Sequence, residues 1–106
     1  MADIVLFYST APDRETAEAM ARRLVEEGAA ACVNILGSIG SVYRWRGAVE
    51  TANEVALIIK TTRERAEAVR DLVLARHPYD NPAVIAFTVD RGLSAPDFCA
   101  WIENPD

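Results

Sequence analysis

The stretch Ala29-Ala30-Ala31-Cys32-Val33-Asn34-Ile35-Leu36-Gly37-Ser38-Ile39-Gly40-Ser41-Val42-Tyr43-Arg44-Trp45-Arg46-Gly47 decides the fold. It opens as a small, apolar strand, passes two glycines and ends in an aromatic and basic tip. Read as one strand from Ala30 to Arg46, it would span about 55 Å at roughly 3.3 Å per residue. A domain of this length is only about 35 Å across, from a radius of gyration near 13 Å. The arm must therefore bend or protrude. Gly37 and Gly40, with Ser38 and Ser41, supply the place for a bend or bulge.

The flanking sequence turns this arm into one half of a hairpin. Gly47-Ala48 suits the two central positions of a type II′ turn, glycine first, which pairs Arg46 with Val49 and Trp45 with Glu50. The return arm runs from Val49 to Thr61. Val55, Leu57 and Ile59 alternate on one face, and Glu54, Ala56, Ile58 and Lys60 on the other. Upstream, residues 3–9 read as a buried central strand, followed by a turn over Ser9 to Asp13. Asp13 then caps a helix with Glu15 in its first turn. Ala17, Met20, Ala21, Leu24 and Val25 recur at helical spacing, and Gly28 suits the position just past the helix end.

Downstream, Thr61-Thr62-Arg63-Glu64 reads as a capping box with Thr61 as N-cap. The helix it opens runs to about Arg76 and buries Ala66, Val69, Leu72 and Val73. His77-Pro78 ends it, because the residue before a proline avoids the helical region. Residues 83–89 read as a fourth strand and Asp90 to Gly92 as a turn. A last short helix is capped by Ser94, with Phe98, Trp101 and Ile102 facing inward.

The order β-α-β-β-α-β plus a C-terminal helix predicts an α+β, ferredoxin-like split βαβ fold over residues 1–106. Helices cover one face of such an antiparallel sheet. The other face would carry either the Val55 set or the Glu54 set, and both hold aliphatics, which argues for an oligomer. A hairpin reaching onto a neighbour makes a heterologous contact that must close into a ring, and the smallest such ring is a trimer. Tyr43 and Trp45 at the tip are expected as interface anchors. Asn34, polar in an apolar strand, is expected to pair with backbone at a sheet edge or interface.

Composition narrows the function. The net charge is −5, which disfavours nonspecific nucleic-acid binding. Apolar residues make up 51%, much of it alanine, so the core gains from a partner's surface. Two cysteines, Cys32 and Cys99, are too few for a disulfide scaffold. No apolar run is long enough to span a bilayer, and no basic segment precedes an apolar one at the start, so a cytoplasmic location is expected. No enzyme is expected. The sequence lacks the nucleophile elbow, the HExxH pair and the Walker loop, and no glycine-rich anion loop follows the first strand.

Few side chains invite chemistry. His77, the only histidine, is read first as a helix-terminal group satisfying free carbonyls and second as a metal ligand. Cys32 is read first as core packing, although its thiolate would suit soft copper. Lys60 and Glu54 share a strand face and suit interfacial ion pairs. Alternatively, Lys60 binds an anion in a cleft with His77, Tyr79 and Glu54.

Four segments stand together in order and spacing: Ala30-Ala31-Cys32-Val33-Asn34-Ile35, Ser41-Val42-Tyr43-Arg44-Trp45-Arg46-Gly47, Glu54 to Thr62, and His77-Pro78-Tyr79-Asp80-Asn81-Pro82. Together they resemble the CutA family of divalent-ion tolerance proteins, and Thr10-Ala11-Pro12 and Phe98 to Ile102 fit as well. The resemblance covers essentially the whole chain. It implies a homotrimer, similar in architecture to PII signalling proteins, with a role in tolerance of copper and other divalent ions. A divalent metal, copper first, is thus a possible ligand that the fold does not require. By analogy with PII, the alternative is a signalling trimer with small-molecule clefts between subunits. Two departures stand out: Arg46 where an acidic residue is common, and Asp80-Asn81 where glutamate and valine are.

Overall fold

The computed structural model describes residues 2–106. In chain order it contains β1 (Ile4–Ala11), α1 (Arg14–Glu26), β2 (Cys32–Trp45), β3 (Ala48–Thr62), α2 (Arg63–Arg76), β4 (Val84–Thr88), a 3-10 turn (Arg91–Leu93) and α3 (Pro96–Glu103). The sheet order is β2-β3-β1-β4 and every pairing is antiparallel. This is the split βαβ arrangement.

Alternation along the strands sorts side chains onto two faces. Val5 and Phe7 of β1 and Val55, Leu57 and Ile59 of β3 face α1 and α2, where Ala17, Met20, Leu24, Val69 and Val73 complete the core. Fully burying a leucine or isoleucine side chain stabilises by about 1.5–3 kcal/mol, so this layer holds the fold together. A smaller cluster forms where Cys99 and Ile102 of α3 meet Ile4 and Ala31. The rest of that second face carries the Glu54 set.

β2 and β3 pair over their whole length, with one irregularity. Leu36 lies opposite Ala56, but Ser38 lies opposite Val55, so Gly37 is the extra residue of a bulge. A one-residue slip reverses the facing of everything beyond it. Before the bulge, Cys32, Asn34 and Leu36 share the Glu54 face. Beyond it, Ser41, Tyr43 and Trp45 do.

β1 reaches only as far as Val55, so residues 48–54 pair with β2 alone and the hairpin overhangs the sheet. The domain measures 45 × 27 × 23 Å, with a radius of gyration of 14.5 Å, against about 13 Å for a compact chain of this length.

The turn differs from the expected one. Trp45 pairs with Ala48, and both Arg46 (φ 50°) and Gly47 (φ 83°) take left-handed backbone conformations. That is a type I′ geometry centred on Arg46-Gly47, whose twist matches the flanking strands. A left-handed non-glycine residue costs roughly 1–2 kcal/mol. Arg46 recovers part of this by placing its guanidinium 5.4 Å from the centroid of Trp45, a contact worth about 0.5–1 kcal/mol at an exposed site.

Other local expectations also shift. β1 continues through Ser9, Thr10 and Ala11 because β3 still offers them partners. Asp13 caps α1 as expected, accepting from the Thr16 amide at 2.7 Å, and Gly28 follows its end at φ 76°. Val25, however, is left exposed. Thr61 does not cap α2: β3 runs to Thr62, and the buried Thr61 hydroxyl donates to the Ala29 carbonyl at 2.6 Å. Ser94 does not cap α3 either, since its hydroxyl donates to the Asp90 carbonyl at 2.7 Å. In α3 the buried residues are Cys99 and Ile102, whereas Phe98 is half exposed and stacks on Trp101.

A Cβ added at Gly47 would meet nothing within 4 Å, so a substitution there tests backbone conformation alone. Gly47→Ala is expected to lower stability by about 1 kcal/mol in chemical denaturation. An unchanged midpoint would contradict the left-handed assignment.

Candidate functional site

The loop after α2 returns across the end of β1. Pro78 forces His77 into extended backbone (φ −74°, ψ 136°), which ends the helix and turns the chain toward the sheet. The His77 ring then acts as a clamp. Its Nδ1 accepts from the Tyr79 amide at 3.1 Å, and its Nε2 lies 2.6 Å from the Thr10 carbonyl oxygen. An amide can only donate, so Nδ1 is the bare nitrogen and Nε2 carries the hydrogen that it donates to Thr10. Both ring nitrogens are engaged. The helix-terminal reading is corrected in one respect: the ring satisfies a carbonyl of β1 rather than those of its own helix.

This clamp sets Tyr79 against β3. The Tyr79 hydroxyl donates to Glu54 Oε2 at 2.9 Å, and the His77 and Tyr79 rings lie 4.7 Å apart. Glu54 is 8% exposed. Burial works most strongly against its charge, but hydrogen bonds from Ser41, Tyr79 and Thr10 outweigh it and hold the carboxyl below the usual carboxylate range. The same pair raises the phenol. Burial first, and then the bond to the Glu54 anion, push Tyr79 up to about 12.

Above this pair opens a cleft of about 640 Å³ between the overhanging hairpin and the 78–83 loop. Thr10, Ser41, Tyr43, Trp45, Glu50, Glu54 and Tyr79 all line it. The bulge at Gly37 is what aims Tyr43 and Trp45 into it. Thr10, Ser41 and Glu50 were not among the expected site residues. Even spacing from Glu54 along β3 would find Glu50, whereas Ser41 follows from strand parity only once the bulge in β2 has been placed.

Other candidates lie elsewhere. Lys60 is not at the cleft. It pairs with Cys32 across the sheet, and its ammonium sits 5.1 Å from the Phe98 centroid, beneath α3. Cys32 is half-buried on edge strand β2 and lies outside both core clusters, so the core reading is corrected. Cys32 and His77 are not brought together, since Lys60 lies opposite Leu6 and Thr10 is four strand positions, about 13 Å, further along. Asn34 is exposed on the same edge strand.

Comparison with known proteins bears on this arrangement. The profile of the family described as CutA1 divalent ion tolerance protein matches residues 5–105. The chain belongs to the CutA1 family. It is 46% identical over 97 residues to the divalent-cation tolerance protein CutA of Archaeoglobus fulgidus, covering 92% of each chain. It is 40% identical over 100 residues to the chloroplastic protein CutA of Arabidopsis thaliana, covering 94% of this chain but 54% of that protein. The solved structure of the periplasmic divalent cation tolerance protein CutA from Archaeoglobus fulgidus matches with a TM-score of 0.88 at 42% identity, covering 93% of this chain and 94% of that one. The Archaeoglobus relative is named for tolerance of divalent cations rather than for a reaction.

The same names overturn the cytoplasmic expectation, since one relative is called periplasmic and another chloroplastic. Charge, cysteine count and hydropathy describe how a domain folds. They do not encode the compartment in which it works. No helix among the described residues is long and apolar enough to cross a membrane.

The Glu54–Tyr79 bond gives stability a defined pH dependence. In the unfolded chain the phenol ionises near 10, whereas in the folded chain it keeps its proton to about 12. Between those values the folded state binds more protons than the unfolded one, so stability falls as pH rises and is complete below that window. Wild-type protein is expected to lose about 1–2 kcal/mol across this window that Tyr79→Phe does not lose. Parallel alkaline limbs in chemical denaturation would contradict the bond.

Proposed function

We propose that the chain works as a homotrimer in tolerance of divalent cations, copper foremost, and takes up metal weakly at positions shared between copies. Membership of the CutA1 family supports the role. The observation that carries the assembly is the sheet face turned away from α1 and α2. Leu36, Ile85 and Phe87 are 45%, 52% and 54% exposed there, beside the partly exposed Leu6, Tyr8 and Ile58. A contiguous apolar surface of this kind calls for cover. Tyr43 and Trp45 sit on the hairpin that overhangs the sheet, where they would grip a neighbour, and Asn34 would meet one along the β2 edge.

The donor set bears on the metal. Among the described residues, no group of three or more His, Cys, Asp or Glu lies close enough to hold a metal ion. A closed site with four such ligands is therefore not formed among those residues. Cys32, half-buried on edge strand β2, is the thiolate that symmetry would offer to copper. His77 would have to give up one of its two hydrogen bonds. The alternative, a signalling trimer with small-molecule clefts between subunits near Lys60, His77 and Tyr79, is not favoured, because Lys60 lies away from the cleft that Tyr79 lines.

Two measurements test the proposal. Sedimentation equilibrium is expected to return three times the 11.6 kDa chain mass, and a mass near one chain would sink the assembly. In calorimetric copper titrations, Cys32→Ala is expected to weaken uptake by about tenfold and His77→Ala by less. If neither change alters uptake, ligation at these residues is wrong.

A further inference from the structure

We infer, independently of the metal reading, that the groove between α1 and α2 binds a small organic phosphate, a phosphate monoester carried on an apolar body. The groove lies on the helix side of the sheet. The proposed trimer covers the opposite face and the hairpin, so the groove stays open in the assembled protein as in the single chain. Its hollow of about 420 Å³ lies within the range of about 300–1,000 Å³ usual for small-molecule sites. One wall is the α2 stripe of Arg65, Ala68, Leu72, Ala75 and Arg76, and the other is the end of α1 at Arg23 and Glu27. Arg65 and Arg76 stand eleven residues apart on α2. That is three turns, which leaves them about 20° from alignment and about 16 Å apart along the axis. Between them lies a floor of small and apolar side chains.

Charge names the ligand class. The lining holds three guanidinium groups, those of Arg23, Arg65 and Arg76, against the carboxylates of Glu27 and Asp71. Both carboxylates are already engaged, Glu27 by Arg23 at 2.6 Å and Asp71 by Arg70 at 2.9 Å. Arg65 is held differently. It donates to Thr62 Oγ1 at 3.1 Å and to the carbonyls of Ile102 and Glu103 at 2.7 and 3.2 Å. These acceptors are neutral, so they fix the guanidinium without cancelling its charge. Among the described residues, no carboxylate comes within ion-pair distance of Arg65 or Arg76. Two uncompensated positive charges favour a dianion, and guanidinium forks match phosphate oxygens two at a time. The end of α1 does not oppose an anion, because its last turn caps itself: the carbonyls of Arg23, Leu24 and Val25 accept from the amides of Glu27, Ala29 and Gly28. The apolar body follows from the floor, where half-buried Leu72 lies between Ala68 and Ala75. Beyond Arg23 and Arg76 the lining turns to Asp13 and Glu15, which ends the stretch that suits an anion.

The test uses phenyl phosphate as the probe, with phenol and benzoate as its neutral and singly charged counterparts. Each is titrated by calorimetry into the full chain in metal-free buffer of low ionic strength, at about pH 8, where the monoester is a dianion. Phenyl phosphate is expected to saturate with a Kd of about 1 mM or tighter, phenol to bind at least about tenfold more weakly and benzoate about fivefold more weakly. Arg76→Gln, at an exposed position in the last turn of α2 where folding is not at risk, should weaken phenyl phosphate by about tenfold. Ala68→Phe, also at an exposed position, fills the hollow without changing charge and should weaken it as much. Arg14→Gln removes the same charge from the first turn of α1 and should leave binding unaltered. The inference is overturned if phenyl phosphate fails to saturate by about 10 mM. It is equally overturned if phenol or benzoate binds as well, if binding survives undiminished in Arg76→Gln or Ala68→Phe, or if Arg14→Gln weakens it as much as Arg76→Gln does.

Discussion

The ladder between β2 and β3 obeys parity, and a single extra residue at Gly37 changes its sense. Side chains on a strand alternate strictly, so the facing of every residue beyond the bulge follows from that one insertion. Without it, Tyr43 and Trp45 would lie on the helix side of the sheet's plane. With it, they join Glu54 on the other side and wall a cleft that the 78–83 loop closes. The bulge sits on an edge strand, where an unpaired backbone group can reach solvent and the added twist strains no second neighbour.

A second constraint works through hydrogen bonds. The His77 imidazole joins two carriers of the site, the Thr10 carbonyl on β1 and the Tyr79 amide in the loop. Tyr79 in turn donates to Glu54 on β3. The relay is short, and each link has a donor matched to an acceptor, so the loop is held at a defined height above the sheet. It also explains how a carboxylate survives in a poorly hydrated position: hydroxyl donors around Glu54 outweigh the effect of burial. The histidine, which by residue type alone is the obvious metal ligand, is occupied as a structural clamp.

The sheet's two faces divide the remaining labour. The face under α1 and α2 is a conventional core of Phe7, Leu57 and Ile59 against Leu24, Val69 and Val73. The opposite face is covered by α3 at one end only, where Cys99 and Ile102 meet Ile4 and Ala31. Between α3 and the cleft it stays apolar and partly exposed. The covered end, the bare middle and the acidic cleft are successive zones of one surface, arranged along the strands by sequence position.

Much of this was legible in the chain. The strand and helix order, the helical stripe of Ala17, Met20 and Leu24, the Asp13 cap and an arm too long for its domain all follow from periodicity and length, which are local or additive properties. The caps expected at Thr61 and Ser94 do not form because other carbonyls take those hydroxyls, that of Ala29 from across the fold and that of Asp90 from the preceding turn. The turn was displaced by one residue because strand twist, not residue preference, chose Arg46 for a left-handed position. Lys60 lies outside the site because it pairs with Leu6, four strand positions from Thr10 at the cleft. The sequence by itself determined which segments fold and which stripes are apolar. Only the tertiary structure decided which residues meet in the cleft, since that depends on one inserted residue and one imidazole joining segments 67 positions apart.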